Sequence, residues 1–139
     1  NGMMIELSGN APKVVEYIET GRIYLDGKAQ YGALDGIMRD RVRIALNGLV
    51  IVNVVMDDED DQVGEPWVEI RGLPSSGASG AQLVHILEED LSQYIARAGC
   101  KILKDDNALE AGIIKIVRLS CHSEIGKRPE VSVIVGHMA

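Results

Sequence analysis

The sequence predicts an α+β fold, with a small, mainly antiparallel sheet, three helices packed largely on one face, and short N-terminal strands before them. Three observations predict it. Residues 49–56 read LVIVNVVM, a β-branched run. Two later stretches repeat apolar residues at helical spacing, and Val131, Val133 and Val135 alternate at strand spacing. Strands and helices arrive in blocks, and in a chain of 139 residues that order suits one small sheet with helices laid against it.

Taken in order, the first thirty residues read as extended pieces at 3–7, 14–18 and 22–25, because Ser8-Gly9-Asn10, Pro12, Gly21 and Asp26-Gly27 interrupt too often for a helix. Asn1-Gly2 is a turn dipeptide with nothing before it, and the chain is expected to begin in the middle of a larger fold. A soft boundary at 26–32 divides an extended segment, 1–30, from an α+β domain, 31–139. From Leu34, the apolar positions Leu34, Met38, Val42 and Leu46 keep helical period, and Asn47-Gly48 supplies a left-handed stop. The run at 49–56 is too apolar for one wet face and is expected to be a central strand buried on both sides. Five consecutive acids, Asp57 to Asp61, would repel one another in a core and are read as a solvated turn before a returning strand at 63–71.

Residues 74–80, PSSGASG, read as a flexible linker. A long helix follows on Leu83, Val84, Leu87, Leu91, Tyr94, Ile95 and Ala98, ended by Gly99. Asn107 and Glu110 have the spacing of a capping box for a third helix, carried by Leu109, Ile113, Ile116, Val117 and Cys121 towards Gly126. Pro129 forbids more helix before the last strand, 131–135.

Composition bounds the chemistry. Acidic residues outnumber basic ones by 21 to 14, a net charge of −7, so the surface as a whole disfavours a polyanion. No apolar run reaches the roughly 18 residues of a membrane span, and a cytoplasmic protein is expected. Phe is absent, so the core must rest on Ile, Val, Leu and Met. Cys100 and Cys121 form no CxxC pair and are read as free thiols.

No catalytic, cofactor-binding or metal residue is assigned. His85, His122 and His137 lack any second ligand at zinc-site spacing. The acidic run lacks the alternating ligands and central glycine of a calcium loop. Gly72 to Gly77 lacks the Gly-Lys-Ser/Thr ending of a phosphate cradle, and Ser75, Ser76 and Ser79 have no base or nucleophile elbow. The basic concentrations are Arg22, Arg39, Arg41, Arg43, Lys127 and Arg128. Solvating helix faces and pairing with acids is their favoured reading, with RNA-backbone contact by Arg39, Arg41, Arg43, Lys127 and Arg128 as the alternative.

Gly21-Arg22-Ile23-Tyr24-Leu25-Asp26-Gly27, then Met38-Arg39-Asp40-Arg41, then Asn47-Gly48 before a Val-rich strand resemble the C-terminal region of ribonuclease J, a β-CASP member of the metallo-β-lactamase superfamily. The opening Asn1-Gly2-Met3-Met4-Ile5-Glu6-Leu7 is similar to the segment where that family's chain leaves its catalytic core. Gly126-Lys127-Arg128-Pro129-Glu130-Val131 is similar to its last helix-to-strand junction. Where the family carries Gly-Pro-Asp and Ser-Arg-Gly-Phe, this chain has Gly64-Glu65-Pro66-Trp67 and Ile70-Arg71-Gly72-Leu73, as in a divergent branch.

The resemblance implies a parent that is a zinc-dependent 5′ exoribonuclease and endoribonuclease. A two-zinc site would there lower the pKa of a bound water and stabilise charge on phosphate oxygens. It implies that this chain is a non-catalytic C-terminal assembly domain, whose partners are the parent catalytic core and further copies in a homo-oligomer, and which meets RNA through the parent. The HxHxDH ligand motif is absent from the chain and is expected before it. Two other readings stand beside this one, an accessory RNA-binding module and a small-molecule-sensing α+β module.

Overall fold

Turn residues shape the start of the chain into two hairpins. In the computed structural model, which describes residues 1–57 and 63–138, β1 (Met3–Glu6) pairs antiparallel with β2 (Lys13–Tyr17), and the register shifts between Met4 and Ile5. A second hairpin joins β3 (Ile23–Asp26) to β4 (Ala29–Gly32) through Gly27, whose φ of 60° only glycine adopts without strain. The sequence marked the Asp26-Gly27 turn but not β4, because Ala-Gln-Tyr-Gly carries little strand preference without its partner. Every residue of β1 and β2 is exposed. The expected acidic turn lies, apart from Asp57, outside the described residues.

Helix α1 (Gly36–Asn47) starts two residues later than Leu34, which is 85% exposed. The Asp35 carboxylate accepts the Gly32 N–H at 2.6 Å, and the Arg39 N–H bonds to the Asp35 carbonyl, which sets the entry. Of the predicted stripe, Met38 alone is buried; Val42 and Leu46 stay exposed. The chain divides into two compact units, Asn1–Val42 and Arg43–Ala139, with the division inside α1.

The second unit is built on β5 (Leu49–Met56). Antiparallel β6 (Trp67–Arg71) lies on one edge and parallel β7 (Glu130–His137) on the other, giving the order β6-β5-β7. Strand β6 is shorter than the expected 63–71, because Pro66, buried just ahead of it, has no N–H for a ladder. Burial on β5 alternates: Val50, Val52, Val54 and Met56 are fully buried, while Leu49, Ile51, Asn53 and Val55 are only partly covered. The expectation of burial on both faces is therefore corrected. An apolar run shows that a strand can be covered twice, not that it is.

Helices α2 (Leu83–Arg97) and α4 (Asp106–Ile125) cover the buried face. Each presents a four-residue repeat, Leu83, Leu87, Leu91 and Ile95 against Leu109, Ile113, Val117 and Cys121, all within 4% of full burial. Gly112 permits the approach, since a Cβ there would lie 1.7 Å from the Tyr94 hydroxyl. A one-turn helix, α3 (Cys100–Leu103), not expected from the sequence, joins the two. The capping residue of α4 is Asp105 rather than Asn107: its carboxylate accepts the Asn107 and Ala108 N–H groups at 3.0 and 3.3 Å, and its charge also suits the positive end of the helix. Gly126, left-handed with φ 68°, ends α4 as expected.

The segment at 74–80 is pinned, not a free linker. The Ala78 N–H bonds to the Glu124 carbonyl, the Leu83 N–H bonds to the Ser75 carbonyl, and the Ser79 N–H and hydroxyl donate to the Glu124 carboxylate at 3.1 and 2.9 Å. Gly77 is required here because a Cβ would strike the Glu124 side chain at 2.2 Å. Short polar residues looked mobile in sequence because their acceptor lies 45 positions away.

Two outcomes follow from this packing. Ile113→Ala removes a fully buried side chain from between α4 and the sheet and is expected to cost about 2–5 kcal/mol in urea unfolding. The two Ser79 bonds hold the Glu124 carboxyl below the usual glutamate range. The stability they contribute is present above that range and is lost as pH falls through the lowered native value. Glu124→Gln should therefore lower the melting temperature at pH 7, and the difference from the parent chain should close in acid.

Candidate functional site

Where α1 ends, β5 and β7 begin side by side. Gly48 takes a left-handed φ of 79° and turns the chain from α1 into β5, and a Cβ there would collide with Leu73. The parallel register sets Leu49 opposite Glu130, and the Glu130 N–H bonds to the Gly48 carbonyl at 3.0 Å. Arg43 of α1, the start of β7 and one face of α4 thereby meet around a groove of about 540 Å³. Ala111, Ile114 and Leu119 supply its apolar lining; Arg43, Lys115, Arg118 and Arg128 bring four cations, and Glu130 one carboxylate.

Glu130 is shared. Its Oε1 lies 3.4 Å from Arg43 Nε and its Oε2 lies 3.7 Å from an Arg118 terminal nitrogen. Arg118 also donates through Nε to the Pro129 carbonyl at 3.3 Å, which orients its guanidinium. Both arginine side chains remain about half exposed, so these long pairs are weak. Among the described residues Lys115 and Arg128, both exposed, make no ion pair.

Of the cations singled out in the sequence, Arg43 and Arg128 reach this groove. Arg39 is exposed on α1 in the first unit. Arg41 in the same unit is held by Asp26 at 2.7 Å, and this bond keeps the Asp26 carboxyl below its usual range. Lys127 donates to the Leu46 carbonyl at 3.4 Å, where a cation suits the end of α1. Lys115 and Arg118 were missed because they read as the ordinary polar face of a core helix. Their signal was the spacing of Ala111, Lys115 and Arg118, which repeats along one helix face.

His137 Nε2 lies 3.0 Å from Asp106 Oδ1, and His85 and His122 are exposed. Among the described residues no three His, Cys, Asp or Glu side chains come together as a metal site. The donors among the described residues do not fit a zinc centre. No helix among the described residues is long and apolar enough to cross a membrane. Cys100 is exposed, whereas Cys121 lies in the core, where burial pushes its thiol up to about 11. A thiol reagent at pH 8 is therefore expected to label Cys100 promptly and Cys121 only on unfolding; equal rates would contradict the packing of α4.

A family model of the ribonuclease J C-terminal domain matches residues 36–138. Ribonuclease J of Sinorhizobium meliloti is 27% identical over 135 residues, which cover 97% of this chain and 24% of that protein. The chain thus spans about a quarter of the length of the curated relative it matches.

Proposed function

The chain belongs to the ribonuclease J C-terminal domain family, and from that premise we propose that it is the non-catalytic assembly domain of a zinc-dependent ribonuclease. The parent would combine 5′ exonuclease and endonuclease action in RNA processing and decay in the cytoplasm. Its zinc ligands would belong to the part of the relative that this chain does not span. On this reading residues 31–139 form the domain, and 1–30 finish the catalytic core. A family match that starts at residue 36 supports that division.

The observation that carries the reading is apolar surface without a core. In the first unit Met3, Ile5, Val15 and Tyr17 are about half or more exposed, and Ile23 and Leu25 are 70% and 78% exposed. Two-stranded hairpins are marginal alone in water, so such residues call for a partner surface. The catalytic core is that partner. In the second unit the sheet face away from α2 and α4 offers another surface: Trp67 and Ile134 flank Asn53 across three strands and are 52% and 54% exposed. This face suits self-association between copies.

Incubation of the chain with zinc or manganese and 5′-monophosphorylated RNA is expected to give no turnover; metal-dependent cleavage would overturn the non-catalytic assignment. In sedimentation velocity the chain should self-associate, and Trp67→Asp with Ile134→Asp should shift it to smaller species. An unshifted distribution would remove the sheet face as the assembly surface.

A further inference from the structure

We propose that the groove between α4 and the start of β7 is a phosphodiester site, gripping the backbone of an RNA strand through Arg43, Lys115, Arg118 and Arg128. The choice of RNA rests on the family reading; the site itself rests on its geometry. Four cations and one carboxylate give a local charge of +3 on a chain whose net charge is −7. Such a concentration has a repulsive cost in the free protein, which an anionic ligand relieves.

The arrangement suits a phosphate-bearing ligand. Lys115 and Arg128 make no ion pair among the described residues and are available to a ligand. Arg43 and Arg118 are held in place by Glu130 at distances long enough for a phosphate oxygen to compete. Glu130 thus sits between two guanidiniums and offsets part of the positive charge that a phosphate would meet. The lining contains no aromatic ring, so bases meet no aromatic platform, and binding should follow the backbone without sequence preference. The groove is open to solvent and not an enclosed cavity, which suits a chain laid against the surface better than a buried small molecule.

The test is fluorescence anisotropy of the 139-residue chain with a labelled 12-mer of uridylate, in EDTA so that no cleavage intervenes, across a salt series. Three to four phosphate contacts predict a slope of log affinity against log salt of about −2 to −3, at roughly 0.7 per contact on a single strand. Lys115→Gln with Arg128→Gln should reduce the slope by about 1.4 and the affinity roughly 25-fold near 0.1 M salt. Glu130→Gln should tighten binding, while Arg39→Gln and Lys127→Gln should leave it unchanged. A 12-mer of adenylate should bind as the uridylate does.

A wild-type slope near zero overturns the proposal without recourse to any variant. So does unchanged affinity in the Lys115/Arg128 pair with wild-type circular dichroism. If that pair instead alters the sedimentation of the chain without RNA, the groove is a protein interface and the proposal fails. Assembly is read separately by sedimentation of Trp67→Asp with Ile134→Asp, so loss of one reading leaves the other standing.

Discussion

The parallel pairing of β5 with β7 is the constraint on which the second unit depends. Parallel neighbours need a long crossover, and here β6, α2, α3 and α4 all lie between the two strands in sequence. Strand β6 takes the other edge of the sheet, and the helices of that crossover must fit beneath one sheet face. The four-residue repeats of α2 and α4, the Gly112 contact with Tyr94, and the bonds that tie 74–80 to Glu124 are conditions for closing it. The register also decides what sits at the mouth of the crossover. Because Leu49 opposes Glu130, the end of α1 and the Gly126 to Glu130 turn are brought to the same place, and the cations of both are gathered there.

The core and the surface divide their tasks along the same elements. Helix α4 turns Leu109, Ile113, Val117 and Cys121 inward and Lys115 and Arg118 into the groove, so one helix sustains the fold on one face and carries charge on another. Apolar burial at about 25 cal/mol per Å² holds the inward face. The groove contributes little to stability, since its pairs are long and solvated. Its cations are therefore free to vary with function without unfolding the domain. The outer sheet face follows the same logic in apolar form, with Trp67 and Ile134 exposed where a second surface can settle.

Local signals were legible wherever one residue type acts through its own backbone. Gly48 and Gly126 stop helices by left-handed geometry, and the helical period of α2 and α4 places the core residues. Signals that need a distant partner were not legible. The Asp105 cap is a local exception, missed because the carboxylate one position before the helix, and not Asn107, serves the two N–H groups. The order of residues 74–80 depends on Glu124, and the coverage of β5 depends on which elements lie on each side of it. For the groove, Arg43 and Arg128 were visible as basic clusters, whereas Lys115 and Arg118 became part of it only through the strand register.

By itself the sequence determined the α+β class, the phases of α2 and α4, the helix stops, the lack of a zinc-ligand motif, and, through its resemblance, the family to which the match over 36–138 assigns the chain. These follow from dihedral preference, from spacing along the chain and from motif order, all of which are local properties. Tertiary structure alone decided that β7 joins β5 in parallel, that the second face of β5 stays partly open, and which four cations line one groove, two of them paired with a single carboxylate. Those outcomes depend on pairing between residues some eighty positions apart, where side-chain shape and register select one arrangement from several that composition alone would permit.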